Sequence, residues 1–345
     1  MADLKDIASR LVGGEKGILA ADESSKTAAK RFEAVSLECT EENRRLFRQL
    51  LLTTPQIEHY ITGVILHDET FWQKTDQGQP FTEYLTQHNV MPGIKVDGGL
   101  VDLPGFPEEQ ITQGLDGLPE RVAKYAAAGA KFAKWRAVVK IGDGIPSDVS
   151  IGANAYVLAR YARICQDAGI VPMVEPEVLF DGQHSAERCA QVIAYVYDVL
   201  FQTLKAFKVD LEGTILKTSM VLPGKESGEP IVASEVAART AQALRQHVPE
   251  ELGGVVFLSG GQTPDQAMQN LNAIEQQGNY PWGLTFSYSR ALQDPVLKHW
   301  AQDQSDVPGA QQLFVHQLQL AKSARAGHLA SAGSSSDSFV SGGQD

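Results

Sequence analysis

Gly213-Thr214-Ile215-Leu216-Lys217-Thr218-Ser219-Met220 sets a single lysine among small and apolar residues. A glycine at its head, Pro223-Gly224 just beyond it and its β-branched content make this a short buried strand. A lysine near the end of such a strand has two outcomes. It can snorkel to water, which is the common one. It can instead stay in a dry pocket, where desolvation disfavours the ammonium form by up to roughly 3–5 pKa units and frees an amine nucleophile. The rest of the chain decides between them.

Working outward, seven more apolar runs of similar length appear. They are 17–22, 61–67, 93–97, 132–139, 170–177, 254–259 and 282–287. Amphipathic helical patterns lie between them, over about 119–128, 153–168, 186–207, 233–247 and 264–276. Another opens at Thr40-Glu41-Glu42, a threonine N-cap followed by acids in the first turn. Residues 3–12 and 308–326 add a helix at each end. Regular alternation of strand and helix means crossover connections and a parallel sheet. Eight such strands close into a (β/α)8 TIM barrel, a fold of about 250 residues or more as one unit. An open doubly wound sheet is the alternative, but no Gly-x-Gly-x-x-Gly follows the first run. The expected organisation is one barrel domain over 1–328 and a flexible Ser/Gly-rich tail over 329–345, in which only Phe339 and Val340 could dock.

Composition narrows the function. A net charge of −12 does not suggest nucleic-acid or membrane partners. Three widely spaced cysteines, Cys39, Cys165 and Cys189, fit a reducing compartment without disulfides. The charged N-terminus lacks a signal-peptide pattern, and no run reaches the about 18 apolar residues of a membrane span. Cytoplasm is the expected location, and a mature plastid stromal form would have the same features. The eight histidines show no ligand spacing, so no metal or other cofactor is expected; His67 reads as structural.

In a barrel the carboxyl ends of the strands gather at one mouth. The first run ends in Asp22-Glu23-Ser24 and the third carries Lys95. Lys134 and Arg136 lie two apart in the fourth, and Glu175 and Glu177 two apart in the fifth, so each pair shares a strand face. Any one of these charges could be a plain buried ion pair; their convergence on one mouth points to a shared site. Ser259-Gly260-Gly261 and Ser287-Tyr288-Ser289-Arg290 follow the seventh and eighth runs, where barrels often hold phosphate on glycine N–H groups and arginine. Ser24, Thr27, Lys30 and Lys95 could hold a second phosphate, although Lys26-Thr27 and Lys30-Arg31 read equally well as solvated helix residues. Two phosphate sites flanking a lysine imply a bisphosphorylated carbonyl compound. Leu258-Ser259-Gly260-Gly261-Gln262 also matches the signature loop of ABC-type ATPases, but the phosphate loop that reading requires is missing.

Over about residues 3–330 the chain resembles class I fructose-bisphosphate aldolases. The resemblance rests on Gly17–Ser24, Thr40–Arg45, Gly93–Asp97, Phe132–Arg136, Val174–Glu177, Leu211–Lys217, Phe257–Gln262 and Thr285–Arg290. It implies a metal-independent lyase, usually a homotetramer, that cleaves fructose 1,6-bisphosphate reversibly to dihydroxyacetone phosphate and glyceraldehyde 3-phosphate in glycolysis, gluconeogenesis or the Calvin cycle. Sedoheptulose 1,7-bisphosphate presents the same ketone and stays open as a second substrate. By resemblance, Lys217 forms the Schiff base, Glu175 is the general acid/base with Glu177 beside it, Asp22 takes the C4-hydroxyl proton and Lys134 helps form and dehydrate the carbinolamine. Ser259, Gly260 and Arg290 fall on the C1-phosphate site, Ser24, Thr27 and Lys95 near the C6-phosphate, and Arg136 within the site. A barrel that has lost activity and senses sugar phosphates is the contrasting reading; the presence of every proposed catalytic side chain argues against it.

Three positions depart from the family pattern. Its usual Pro-[Asn/Ser]-Met after the lysine is here Thr218-Ser219-Met220, and its Ser-Tyr-Gly-Arg is Ser287-Tyr288-Ser289-Arg290. A side chain at 289 is expected to crowd the phosphate or shift the backbone. Many animal and plant members end in a tyrosine that protonates the enamine, whereas this chain ends Gly342-Gly343-Gln344-Asp345. Glu175 acting through water is expected to take over that step.

Overall fold

A computed structural model describes residues 3–329. Ten strands form in chain order: β1 Gly17–Ala21, β2 Ile61–Leu66, β3 Met91–Lys95, β4 Leu100–Asp102, β5 Gln110–Thr112, β6 Phe132–Val139, β7 Val171–Val178, β8 Ile215–Thr218, β9 Gly254–Phe257 and β10 Leu284–Tyr288. Eight of them close a barrel in the order β1-β10-β9-β8-β7-β6-β3-β2, every neighbour parallel. Closure is made by β1 on β10, with Ile18 opposite Ser287 and Leu19 opposite Tyr288. All eight apolar runs supply a barrel strand, so the fold is the (β/α)8 barrel and the open sheet is excluded.

The side-chain alternation along each strand positions the site. Phe132 on β6, Val171 and Met173 on β7, Ile215 on β8, and Ile18 and Ala20 on β1 point inward, into an apolar layer that the N-terminal helix Leu4–Val12 seals from below with Ile7, Ala8, Leu11 and Val12. Ala133, Trp135, Ala137, Val174, Leu216 and Phe257 point outward, against the helices. The inward parity continues upward to Lys134, Arg136, Glu175, Glu177 and Lys217, so the charges stand directly above a dry floor. Gly93 keeps that floor closed: a Cβ there would lie 2.3 Å from the Phe132 ring.

The helices agree with the amphipathic patterns, with four additions, two of them the short helices Asp68–Trp72 and Phe81–Gln87. Thr40 caps the helix Glu41–Leu52, its hydroxyl accepting from the N–H of Asn43 at 3.0 Å. The helix expected from 153 starts earlier, at Asp148, because Ser147 accepts from the N–H of Ser150 at 3.1 Å. Arg290–Gln302 is a helix despite Pro295 inside it, and Ser25–Glu33 is also a helix outside the expected set. β4 and β5 form a small antiparallel hairpin at the mouth, also unforeseen. Leu329, the first residue of the expected tail, donates its N–H to Asn272 Oδ1 at 2.9 Å. The rest of that tail, with Phe339 and Val340, lies outside the described residues.

Candidate active site

A cavity of about 770 Å³ opens above the apolar floor, at the carboxyl ends of the strands. Lys217 lies at its base, 3% exposed, so the dry outcome is the one realised. Its Nζ is 3.3 Å from Glu175 Oε1. The other oxygen of Glu175 lies 2.7 Å from Lys134 Nζ, which also donates to Asp22 Oδ2 at 3.0 Å. The four buried side chains therefore form one line, Asp22–Lys134–Glu175–Lys217. Burial pushes the Asp22 carboxyl up, but the charges of Lys134 and Lys217 outweigh it and hold Asp22 well below the usual carboxylate range. Burial alone would drive a proton off Lys134; Asp22 and Glu175 outweigh that and hold it above the usual lysine range. At neutral pH Asp22 is thus a fixed anion and Lys134 a fixed cation.

Glu177 and Arg136 pair on the neighbouring face, Arg136 Nε donating to Glu177 Oε2. Burial raises the Glu177 carboxyl, and the Arg136 guanidinium more than reverses this. Lys95 donates to the carboxylate of Asp97, which also accepts from the N–H of Arg136 at 3.3 Å. Lys95 and Arg136 both line the cavity, each already engaged with a carboxylate.

Two poles flank the lysine. At one, Ser259, Gly260, Ser287 and Arg290 line the wall. Ser287 is only 1% exposed, and its Oγ has no hydrogen-bond partner among the described residues. A buried, unmatched hydroxyl facing a cavity is costly unless a ligand completes it. Arg290 is exposed and forms no ion pair among the described residues. Gly261 is not on this wall. Its φ of +79° and a Cβ position 2.3 Å from the Phe180 ring explain the glycine by packing, and it borders an adjoining cavity of about 460 Å³.

The opposite pole is the N-terminus of the helix Ser25–Glu33. Ser24 caps it, accepting from the N–H of Thr27 at 3.3 Å, and the two hydroxyls lie 3.1 Å apart. Lys26 and Lys30 sit on this helix, exposed, and line the cavity. The solvated-helix and phosphate readings therefore describe the same residues. Around the whole cavity stand eight lysines and arginines and five carboxylates, an excess of positive charge in a chain of net charge −12. Helix N-termini add to that potential.

The departure at Thr218 and its neighbour Ser219 both lie off the cavity wall. Thr218 Oγ1 lies 2.8 Å from the Tyr197 hydroxyl, and Ser219 donates to the carbonyl of Val178 at 2.9 Å. Ser289 turns its hydroxyl to Glu23. His67 caps the helix Asp68–Trp72 through Nδ1 at 3.4 Å, a structural use. Glu23 was not singled out from the sequence. Its buried carboxylate accepts from Arg31, Arg48 and Ser289. Burial raises the Glu23 carboxyl, and the two arginines bring it below its usual value.

A dry lysine, bracketed by carboxylates and a fixed ammonium and set between two cationic poles, defines a barrel lyase acting on a phosphorylated carbonyl compound. The family model for glycolytic class-I fructose-bisphosphate aldolase matches residues 3–342. A probable fructose-bisphosphate aldolase class 1 of Xanthomonas axonopodis is 53% identical over 300 residues, covering 87% of this chain and 90% of that protein. The cytosolic fructose-bisphosphate aldolase 4 of Arabidopsis thaliana is 51% identical over 301 residues, covering 87% and 77%. The solved structure of fructose-bisphosphate aldolase from Plasmodium falciparum, in complex with TRAP and a small-molecule inhibitor, superposes with a TM-score of 0.93 at 46% identity over 95% of both chains. This chain belongs to the class I fructose-bisphosphate aldolase family.

Proposed function

We propose that the chain carries out the family's reversible cleavage of fructose 1,6-bisphosphate through a Schiff base on Lys217. The observation that carries this is the buried line Asp22–Lys134–Glu175–Lys217. The Lys217 amine attacks the C2 ketone, and Glu175, 3.3 Å away, takes and returns the protons as the carbinolamine forms and loses water. Lys134 stabilises the negative charge that develops on oxygen and holds Glu175 in place. The resulting iminium withdraws electrons from the C3–C4 bond. Asp22 removes the C4-hydroxyl proton, the bond breaks, glyceraldehyde 3-phosphate leaves and its former C3 partner remains as an enamine. Solvent water takes the proton from Asp22 and reprotonates Glu175, which delivers a proton to C3 through water; hydrolysis of the resulting iminium releases dihydroxyacetone phosphate and the free lysine. Glu177, held by Arg136, keeps a second carboxylate beside the reacting carbons.

The test is borohydride reduction with dihydroxyacetone phosphate in excess EDTA, followed by mass spectrometry. An adduct on Lys217 is expected; an adduct on another residue would move the active site. Deleting residues 331–345 should leave bisphosphate cleavage within about tenfold, well short of the about 10²–10⁴ that loss of a positioned proton donor costs. A larger loss would remove Glu175 from the C3 protonation step.

In this reading the C1-phosphate lies against Ser259, Gly260, Ser287 and Arg290, with Gly261 shaping the loop behind them. The C6-phosphate lies against Ser24, Thr27 and Lys95, with Lys30 on the same helix and Arg136 between the poles. Replacing Arg290 by alanine should raise KM for the bisphosphate roughly ten- to a hundredfold, the worth of one charge-assisted phosphate contact, and leave trapping at Lys217 intact. Steady-state kinetics checks it, and an unchanged KM overturns the assignment of this pole.

The same constellation accommodates sedoheptulose 1,7-bisphosphate, whose ketone and C1-phosphate are identical; relative kcat/KM measures how far it does. A single barrel domain over 1–328 with a separate tail, a homotetramer and a cytoplasmic location complete the reading. Family membership supports the tetramer, which light scattering tests, and the cytosolic relative supports the location.

A further inference from the structure

The turn between β10 and the helix Arg290–Gln302 departs from an ordinary helix start. Ser289 occupies the N-cap position, where a serine usually accepts a bond from an N–H two or three residues on. Here the side chain makes no capping bond, and the backbone sits at φ −110°, ψ −82°. The hydroxyl instead donates to Glu23 Oε1 and accepts from Gln293 Nε2 at 3.3 Å. Gln293 Nε2 also donates to the carbonyl of Ala20 at 2.6 Å, on β1. Glu23 accepts from Arg31 and Arg48 as well, with its side chain 8% exposed, and Arg31 reaches on to Asp294 at 2.7 Å.

Glu23 follows Asp22 directly in the chain. Its partner Arg31 is on the helix that carries Thr27 and Lys30, and its partner Ser289 precedes Arg290. One buried carboxylate thus ties together the two cationic poles and the strand end that carries Asp22. Glycine, the usual family residue at 289, has no side chain to make this tie.

We propose that Ser289 is a positioning residue for bisphosphate recognition: through Glu23 it fixes the Arg290 arm relative to the Ser24–Lys30 arm and so sets the separation of the two phosphate sites. The proposal rests on the phosphate assignment made above. A hydrogen bond to a carboxylate inside a poorly solvated network is short and strong, and three donors on one carboxylate leave it little freedom. A substrate with a phosphate at each end engages both arms at once, so holding them at the correct separation beforehand reduces the ordering cost of binding. A substrate with one phosphate engages one arm and gains little from the tie. The signature is therefore a ratio between substrates.

The experiment measures kcat and KM of the full-length Ser289→Ala and Ser289→Gly variants on fructose 1,6-bisphosphate and on fructose 1-phosphate, with Tm determined alongside. The bisphosphate-to-monophosphate ratio of kcat/KM should fall roughly three- to tenfold in both, through KM of the bisphosphate. Ser289→Thr, which keeps the hydroxyl, should restore the ratio. An equal fall on both substrates, or no change on either, overturns the proposal. Arg290→Ala separates the two levels of the argument. If it leaves KM unchanged, the phosphate assignment itself fails. If it raises KM while Ser289→Ala and Ser289→Gly preserve the ratio, only the role of Ser289 fails.

Discussion

Lys217→Ala should lose bisphosphate cleavage by about 10⁵-fold or more, the scale seen when a covalent nucleophile is removed from a site that acts as a unit. Borohydride trapping should vanish with it, while the fold and substrate affinity survive. The fold survives because Glu175 keeps Lys134 at 2.7 Å, so no buried carboxylate is left without a cation. Affinity survives because neither pole is touched. Lys134 cannot substitute as nucleophile, although it is equally buried at 4% exposure. Two carboxylates at 2.7 and 3.0 Å hold its proton, whereas Lys217 has a single carboxylate at 3.3 Å. Lys217→Arg sharpens the test. It places a permanent cation at the position, but a guanidinium does not give up its proton at working pH and forms no Schiff base. Both variants should therefore be inactive. Turnover by Lys217→Arg within about a hundredfold of wild type would mean that the charge, not the amine, is what matters, since a hundredfold is within reach of electrostatics alone.

Much of this was legible because a strand carries its orientation in its parity. Phe132, Lys134 and Arg136 alternate with Ala133 and Trp135, so once Phe132 is core the two cations must share its face. The same logic places Glu175 above Met173 and Lys217 above Ile215. Pairing across the chain was not legible. Glu23 meets Ser289 from 266 positions away and Arg48 from 25, and nothing local in Asp22-Glu23-Ser24 signals two arginine partners. Likewise the sequence does not say which carboxylate Arg136 takes until the fold brings Glu177 against it from 41 positions away. The hairpin β4–β5 escaped because three-residue strands, mostly half-buried or exposed, are too short to carry an apolar period. The helix Arg290–Gln302, which no expected pattern covered, runs through Pro295, a residue that ordinarily interrupts helices. Gly261 looked like a phosphate cradle and is explained by Phe180. Glycine permits close approach without saying what approaches.

Lys134→Met should be the most damaging change to stability and should also slow the reaction, and its pH dependence identifies the cause. The substitution keeps the apolar stem but leaves the buried Asp22 without the cation it pairs with and the buried Glu175 with only Lys217, at 3.3 Å. Breaking a buried charge cluster by removing one partner costs about 3–5 kcal/mol, and losing the group that supports the proton transfers costs about 10²–10⁴ in kcat. In the wild type, the lowered pKa of Asp22 contributes stability that is present above the unfolded value of about 3.9 and is lost as pH falls through the folded one. The raised pKa of Lys134 contributes stability that is fully present below about 10.4 and is lost as pH rises through its folded value. The two windows overlap between roughly pH 4 and 10, where the cluster's contribution is level. Without Lys134 that plateau disappears. The paired carboxylates repel, one of them gains from taking up a proton, and the deficit against wild type should shrink as pH is lowered from about 7 towards 5, the direction in which carboxylates of raised pKa are neutralised. Denaturant unfolding of both proteins across that interval measures it. Lys134→Arg restores a cation and should recover much of the stability without recovering kcat, because the bulkier fork cannot occupy the position of Nζ between two carboxylates. A deficit for Lys134→Met that is independent of pH would mean that packing, not charge, is what the lysine supplies at the centre of this site.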